Sequence, residues 1–206
     1  MAKERSIETL TLDGGTLCFN FINTVHAWRG ENLHEYLPDY NTFIKWCNKV
    51  HLLPQKDLKL LQQQSLQYPE RSMGTMVKIR QARDVLYHFF SAIAGKEDKL
   101  IKKHLPAFNK LLAEAMSNIS FILARHDLAL AFSIKEIDMQ QPLWMIIKSA
   151  YDVLTIDDAE RIKECPKCGW VFLDQTKNGK RRWCNPLSCG AVDKMKRYYL
   201  RKKEEL

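Results

Sequence analysis

Apolar positions along this 206-residue chain change period several times, and each change marks an element. Glu8 to Leu12 alternates like a short strand and runs into Asp13-Gly14-Gly15, a turn cluster. Thr16 then predicts the N-cap of a helix carrying Leu17, Phe21, Val25 and Trp28 on one stripe, with Gly30 as its stop. Helical spacing returns over 41–50, 55–66, 72–94 and 97–116; the 72–94 segment gathers Ile79, Leu86, Phe89, Phe90 and Ile93 on its buried side, and Pro106 predicts a kink or division of the last. The period then drops to two. Ile119, Phe121 and Leu123, followed by Leu128, Leu130, Phe132 and Ile134, alternate around Arg125-His126-Asp127 and predict a hairpin. A final helix runs from Pro142 to about Leu154, with Leu143, Ile146, Ile147, Ala150 and Leu154 as its core edge.

The most polar joint, Asp157-Asp158-Ala159-Glu160, places a boundary between a domain over 1–160 and a module over 161–206. Inside the module, Val171-Phe172-Leu173 is β-prone, Lys177-Asn178-Gly179-Lys180 holds an Asn-Gly turn signal, and Arg181-Arg182-Trp183 predicts the returning strand. Past Gly190 a helix is predicted, with Val192, Met195 and Tyr199 packed on that hairpin and Lys194, Arg197, Tyr198 and Arg201 facing out. The fold class is therefore α+β: a mainly helical N-terminal domain with a small antiparallel sheet, then a hairpin-helix module. No apolar run reaches the roughly 18 residues of a membrane span. The start, Met-Ala-Lys-Glu-Arg-Ser, lacks the apolar stretch of a secretory leader, so the expected compartment is the cytoplasm.

Four of the six cysteines change the picture of the module. Cys165 and Cys168 form one close pair, Cys184 and Cys189 a looser one, and fifteen residues separate them. Each pair can supply two thiolates from one turn, the requirement of a tetrahedral structural Zn2+ site. Disulfides would need an oxidising compartment, a redox Cys-x-x-Cys would need a βαβ setting, and iron-sulfur centres usually carry other spacings. One structural zinc is the reading the spacing favours. A unit of about 45 residues also needs such a staple, because it buries too little apolar area to offset chain entropy. The two remaining thiols, Cys18 and Cys47, sit in apolar contexts and read as core residues or as redox sensors.

Charge is partitioned in the same way. Residues 161–206 hold 13 Lys and Arg against 5 Asp and Glu, whereas 1–160 hold 19 of each, so the whole excess of +8 belongs to the module. Such a field suits a polyanion and makes binding salt-sensitive. Lys180, Arg181, Arg182 and Trp183 on the loop, with Lys194, Arg197, Tyr198 and Arg201 on the helix, form the candidate nucleic-acid face.

Cys-x-x-Cys-Gly-Trp-Val-Phe-Leu-Asp, then Arg-Arg-Trp-Cys, then Cys-Gly and a basic helix, resembles the CGNR zinc finger. That finger commonly closes two-domain bacterial proteins described as putative stress-induced transcription regulators, whose first half is the ABATE domain. Asn20-Phe21-Ile22-Asn23-Thr24 resembles the Phe-x-Asn-Thr signature of that half, and Phe43-Ile44-Lys45-Trp46 with Leu52-Leu53 fits its Trp-bearing helix. The chain departs from the name motif in one place: Cys189-Gly190 is followed by Ala191-Val192, not Asn-Arg. The resemblance implies a zinc-bearing transcription regulator that binds double-stranded DNA.

The N-terminal domain offers no catalytic motif. Its six histidines, at 26, 34, 51, 88, 104 and 126, are dispersed, and His88 beside Phe89-Phe90 reads as a core residue. Asn20, Asn23, Thr24 and Arg29 lie on an apolar helix, where amides either satisfy buried backbone groups or line a small-molecule effector pocket; the structural role is the commoner. The chain therefore reads as a regulator, not an enzyme, with a first domain that senses a ligand, dimerises, or both. An adaptor binding RNA or an acidic protein is the competing reading.

Overall fold

A computed structural model describes residues 5–29, 33–132 and 137–204, together with the backbone but not the side chains of Tyr199 and Glu204. Seven α-helices and two small antiparallel sheets occupy the described residues: α1 (Leu17–Ile22), α2 (Tyr40–Lys49), α3 (Gln55–Gln67), α4 (Pro69–Ala94), α5 (Asp98–Ser117), β1 (Ile119–Ala124), β2 (Asp127–Phe132), α6 (Gln141–Thr155), β3 (Ile162–Glu164), β4 (Val171–Leu173) and α7 (Ala191–Glu204). The expected α+β class is what the chain adopts.

Local chemistry sets most of the boundaries. Thr16 caps α1 by accepting from Phe19 N–H, and Asp39 caps α2 by accepting from Thr42 N–H at 2.7 Å. Pro69 opens α4 at a position where its missing N–H costs nothing. Pro106 lies inside α5 without dividing it. β1 and β2 pair in one register, Phe121 opposite Leu130 and Leu123 opposite Leu128, around the two-residue turn Arg125-His126. Ile134, expected at the end of this hairpin, lies outside the described residues.

The core gathers Phe19, Phe21, Trp46, Phe90 and Ile147 from α1, α2, α4 and α6, with Phe19 and Phe90 meeting edge to face at 4.9 Å. Val171, Phe172 and Leu173 of β4 are at most 3% exposed and belong to this same core, against α1 and α4. No helix among the described residues is long and apolar enough to cross a membrane.

Several expectations fail for physical reasons. Residues 8–12 form no strand: Thr9 and Leu10 N–H both turn back to Ser6 O. The first helix stops at Ile22, well before Val25 and Trp28, because the Asn23 amide is engaged elsewhere and Val25 bridges to Glu35; its expected stop, Gly30, is outside the described residues. The strand pairing with Val171-Phe172-Leu173 is Ile162-Lys163-Glu164, upstream, and not Arg181-Arg182-Trp183. Val192 and Met195 on α7 are 45% and 57% exposed, so these two are not buried on the sheet; the Tyr199 side chain, expected beside them, lies outside the described residues. His88 is exposed and stacks on His104, with ring centroids 5.3 Å apart.

Candidate metal centre

The first cysteine pair sits on the turn between β3 and β4. Cys165 N–H donates to Trp170 O at 2.8 Å, Gly169 N–H donates to Cys165 O at 2.9 Å, and the two strands close the loop from below. Gly169 has φ 77°, and a Cβ there would lie 3.0 Å from the Trp28 side chain, so glycine serves both the turn and the close approach. The second pair follows a different rule. Asn185 accepts from Leu187 and Ser188 N–H at 2.9 and 3.2 Å, Pro186 begins a single wide helical turn, and Cys189 lies near its end, directly before α7. The four intervening residues thus form one turn that brings Cys184 and Cys189 to a common point.

All four ligand sulfurs, of Cys165, Cys168, Cys184 and Cys189, lie within 4.8 Å of one another, with Cys168–Cys184 at 3.4 Å and Cys184–Cys189 at 3.6 Å. Tetrahedral Zn–S bonds of about 2.3 Å require sulfur–sulfur separations of roughly 3.8 Å, so the set fits one structural zinc. The donor set adds a chemical reason: four thiolates gathered this closely repel one another and coexist only with a cation among them.

The loop between the pairs is tied by Asp174, fully buried. It accepts from Thr176 N–H and Oγ1 at 3.0 and 2.6 Å, and from Lys163 Nζ and Arg181 N–H at 2.7 Å each. Burial alone would raise its pKa, but these donors, Lys163 foremost, outweigh it and hold the carboxyl well below the usual range. Arg181 is consumed in the same way: its guanidinium donates to Trp183 O at 2.9 Å, Asp13 O at 3.2 Å and Cys184 O, over the Phe172 ring. This residue, expected on the nucleic-acid face, braces the second pair.

The remaining members of that face are placed differently. Lys180, Arg182, Lys194, Arg197, Tyr198 and Arg201 are exposed; Arg182 lies over the half-buried Trp183 ring, and Arg197 pairs with Asp193 at 2.9 Å while staying 61% exposed. Ala191-Val192 form the first turn of α7.

Of the four residues expected as a ligand pocket, three are bound within the fold. Asn20 Oδ1 accepts from Gly14 N–H at 2.9 Å. Asn23, 1% exposed, donates from Nδ2 to Val171 O at 2.8 Å and accepts from Val171 N–H at 3.1 Å, so the amide pairs with β4 as a strand would. Thr24 Oγ1 donates to Phe21 O at 2.7 Å and accepts from buried Arg83 at 2.9 Å, which also pairs with Glu35. Arg29 pairs with Glu164 and lines a cavity of about 560 Å³ between the two halves, together with Arg5, His26, Tyr36, Lys167 and Asn185. Burial pushes the Cys18 thiol up to about 11 and that of Cys47 well above its ordinary value, so both are neutral packing residues.

Two family models match, in chain order. Residues 15–157 match ABATE, described as a putative stress-induced transcription regulator. The chain belongs to the ABATE family. Residues 161–202 match the CGNR zinc finger, over the four clustered cysteines. Neither is an enzyme family. No curated protein matches the chain. Within the family assignment, Asn23 and Thr24 of the Phe-x-Asn-Thr segment acquire a physical role, since they fasten the ABATE part to strand β4 of the finger and to Arg83 of α4. Sequence reading missed Asp13, Asp174 and Trp28 as parts of the finger's support. Trp28 N–H donates to Cys168 O at 2.8 Å, and its ring stacks on Tyr87 at 3.9 Å. No local pattern announces contacts of such long sequence separation.

Proposed function

We propose that this protein is a cytoplasmic transcription regulator whose zinc module binds double-stranded DNA, and whose ABATE part, over 1–160, senses a small-molecule effector or dimerises. The observation that carries the reading is the charge distribution: all of the net +8 lies in 161–206, and Lys194, Lys196, Arg197, Arg201, Lys202 and Lys203 stand exposed along α7. A cationic helix held at one end by a metal centre suits a phosphate backbone, with Lys180, Arg182 and Trp183 as a second point of contact. The cavity beside Arg5, Arg29 and Lys167 supports the effector half of the proposal, since it spans both halves of the chain and offers cations, His26 and Tyr36 to a small ligand.

The deciding experiment measures metal content and duplex retention before and after chelation. One zinc per chain, with retention lost on its removal and regained on its return, is the expected result; undiminished binding by the metal-free protein would overturn the proposal. A second reading has its own observation. Leu187, Met195 and Leu200 are 90%, 57% and 52% exposed among the cations, which favours an adaptor for RNA or an acidic protein. Stronger retention on structured RNA or on an acidic protein than on duplex DNA, at equal salt, would select it.

A further inference from the structure

The β1–β2 hairpin seats the base of its bulky face, Ile119 and Phe132, half-buried, and leaves the outer part bare. Register places Phe121, Leu123, Leu128 and Leu130 on one side of the ribbon, where they are 70%, 73%, 72% and 42% exposed. The other side carries Ser120, Ile122, Ala124, Asp127, Ala129 and Ala131, of which Ile122, 39% exposed, is the one bulky apolar residue; the base of the ribbon, with Ala129, Ala131 and Phe132 half-buried, is where β2 meets α6. A two-stranded ribbon is marginal alone and needs something packed on its apolar face. Neither strand contains Lys, Pro or a bulge, the usual means of keeping an edge from pairing, and neither outer edge is paired among the described residues.

We infer that this hairpin is a homodimer interface, formed when the bulky faces of two copies stack across a two-fold axis. The inference gives an interface to the dimerising part of the preceding proposal and rests on that reading only for its consequence on DNA. Area supports a second copy: the four side chains present roughly 500 Å² per protomer, so a stacked pair removes about 1,000 Å² from water, near the lower bound of a specific interface. Charge supports it as well. The tip carries one Arg (Arg125) and one Asp (Asp127), a self-complementary pair in an isologous arrangement, and it lacks the basic collar that an anionic membrane selects.

Sedimentation of the full chain from 1 to 100 µM, with zinc bound, tests the inference. Expected is a reversible monomer–dimer equilibrium in the micromolar range, weakened at least tenfold in Leu123→Glu/Leu128→Glu, whose four carboxylates would face one another. Because both sites are exposed, the variant should retain its circular dichroism. Hydrogen exchange provides a second readout: β1 and β2 amides should gain protection with concentration in the wild type alone. A monomer at 100 µM, open-ended assembly, or a dimer unaffected by the double substitution overturns the inference, as does monomeric protein that binds anionic vesicles through this face. Duplex retention by a monomer would sink this inference and leave the DNA reading standing; a dimer without duplex retention would do the reverse.

Discussion

Asn23→Ala isolates the bond between the two halves. The wild-type amide satisfies both backbone groups of Val171, a residue fully buried in the core, at 2.8 and 3.1 Å. Truncation leaves a buried N–H and a buried C=O without partners, each costing about 1–3 kcal/mol. The expected loss is about 2–6 kcal/mol, equivalent to roughly 4–24 °C in Tm for a chain of this size. Urea unfolding of the zinc-loaded protein measures it, with zinc content as the control, because all four sulfur ligands remain. Asn23→Asp sharpens the test. It keeps the acceptor for Val171 N–H but places a second carboxylate oxygen against Val171 O, so it should cost at least as much at neutral pH and recover as the pH falls and that carboxyl takes up a proton. A loss below about 0.5 kcal/mol for the alanine variant, within the range of ordinary surface changes, would refute the reasoning.

Further outcomes follow from the same contacts. Cys168→Ser should abolish stoichiometric zinc and loosen 175–204, seen as new proteolytic cleavage there, while β4 stays protected within the core. Arg197→Ala should lower the salt dependence of duplex binding by about one unit of log–log slope with little change in stability; Arg181→Ala should instead destabilise the finger and weaken zinc retention, because its partners are the carbonyls of Asp13, Trp183 and Cys184. Asp174 has a folded-state pKa below its ordinary 3.8, so its contribution is present above that value and is lost as the pH falls toward the lower one; acid titration of Asp174→Asn should lack that increment and start from a lower plateau.

What could be read from the chain, and what could not, divides by sequence distance. Helices α2 to α6 and the β1–β2 hairpin carry their own periodicity, and their ends fall close to the expected positions; the four cysteines carry their own spacing. The misreadings involve long-range partners. Alternation over Glu8–Leu12 gave way to a turn because no strand among the described residues pairs with it. The stripe Leu17, Phe21, Val25, Trp28 looked like one helix, but Asn23 and Trp28 are claimed by Val171 and Cys168, nearly 150 residues away. Ile162-Lys163-Glu164 is too short and polar to stand out as a strand, yet it supplies the pairing that Val171-Phe172-Leu173 needs. Arg181 looked like a neighbour of Arg182 on a basic patch; only folding reveals three carbonyls around one and open solvent beside the other.

The Cys165–Cys168 knuckle is framed by Trp28 N–H on Cys168 O, by the Trp170 indole on Val25 O at 2.7 Å, and by the Asn23 amide on Val171. The other pair is anchored too, by Arg181 and Asn185 on Asp13. Both turns that carry the ligands are therefore fastened to the first residues of the chain and to α1's end, and a bound zinc would tie α7, which starts directly after Cys189, to the same frame.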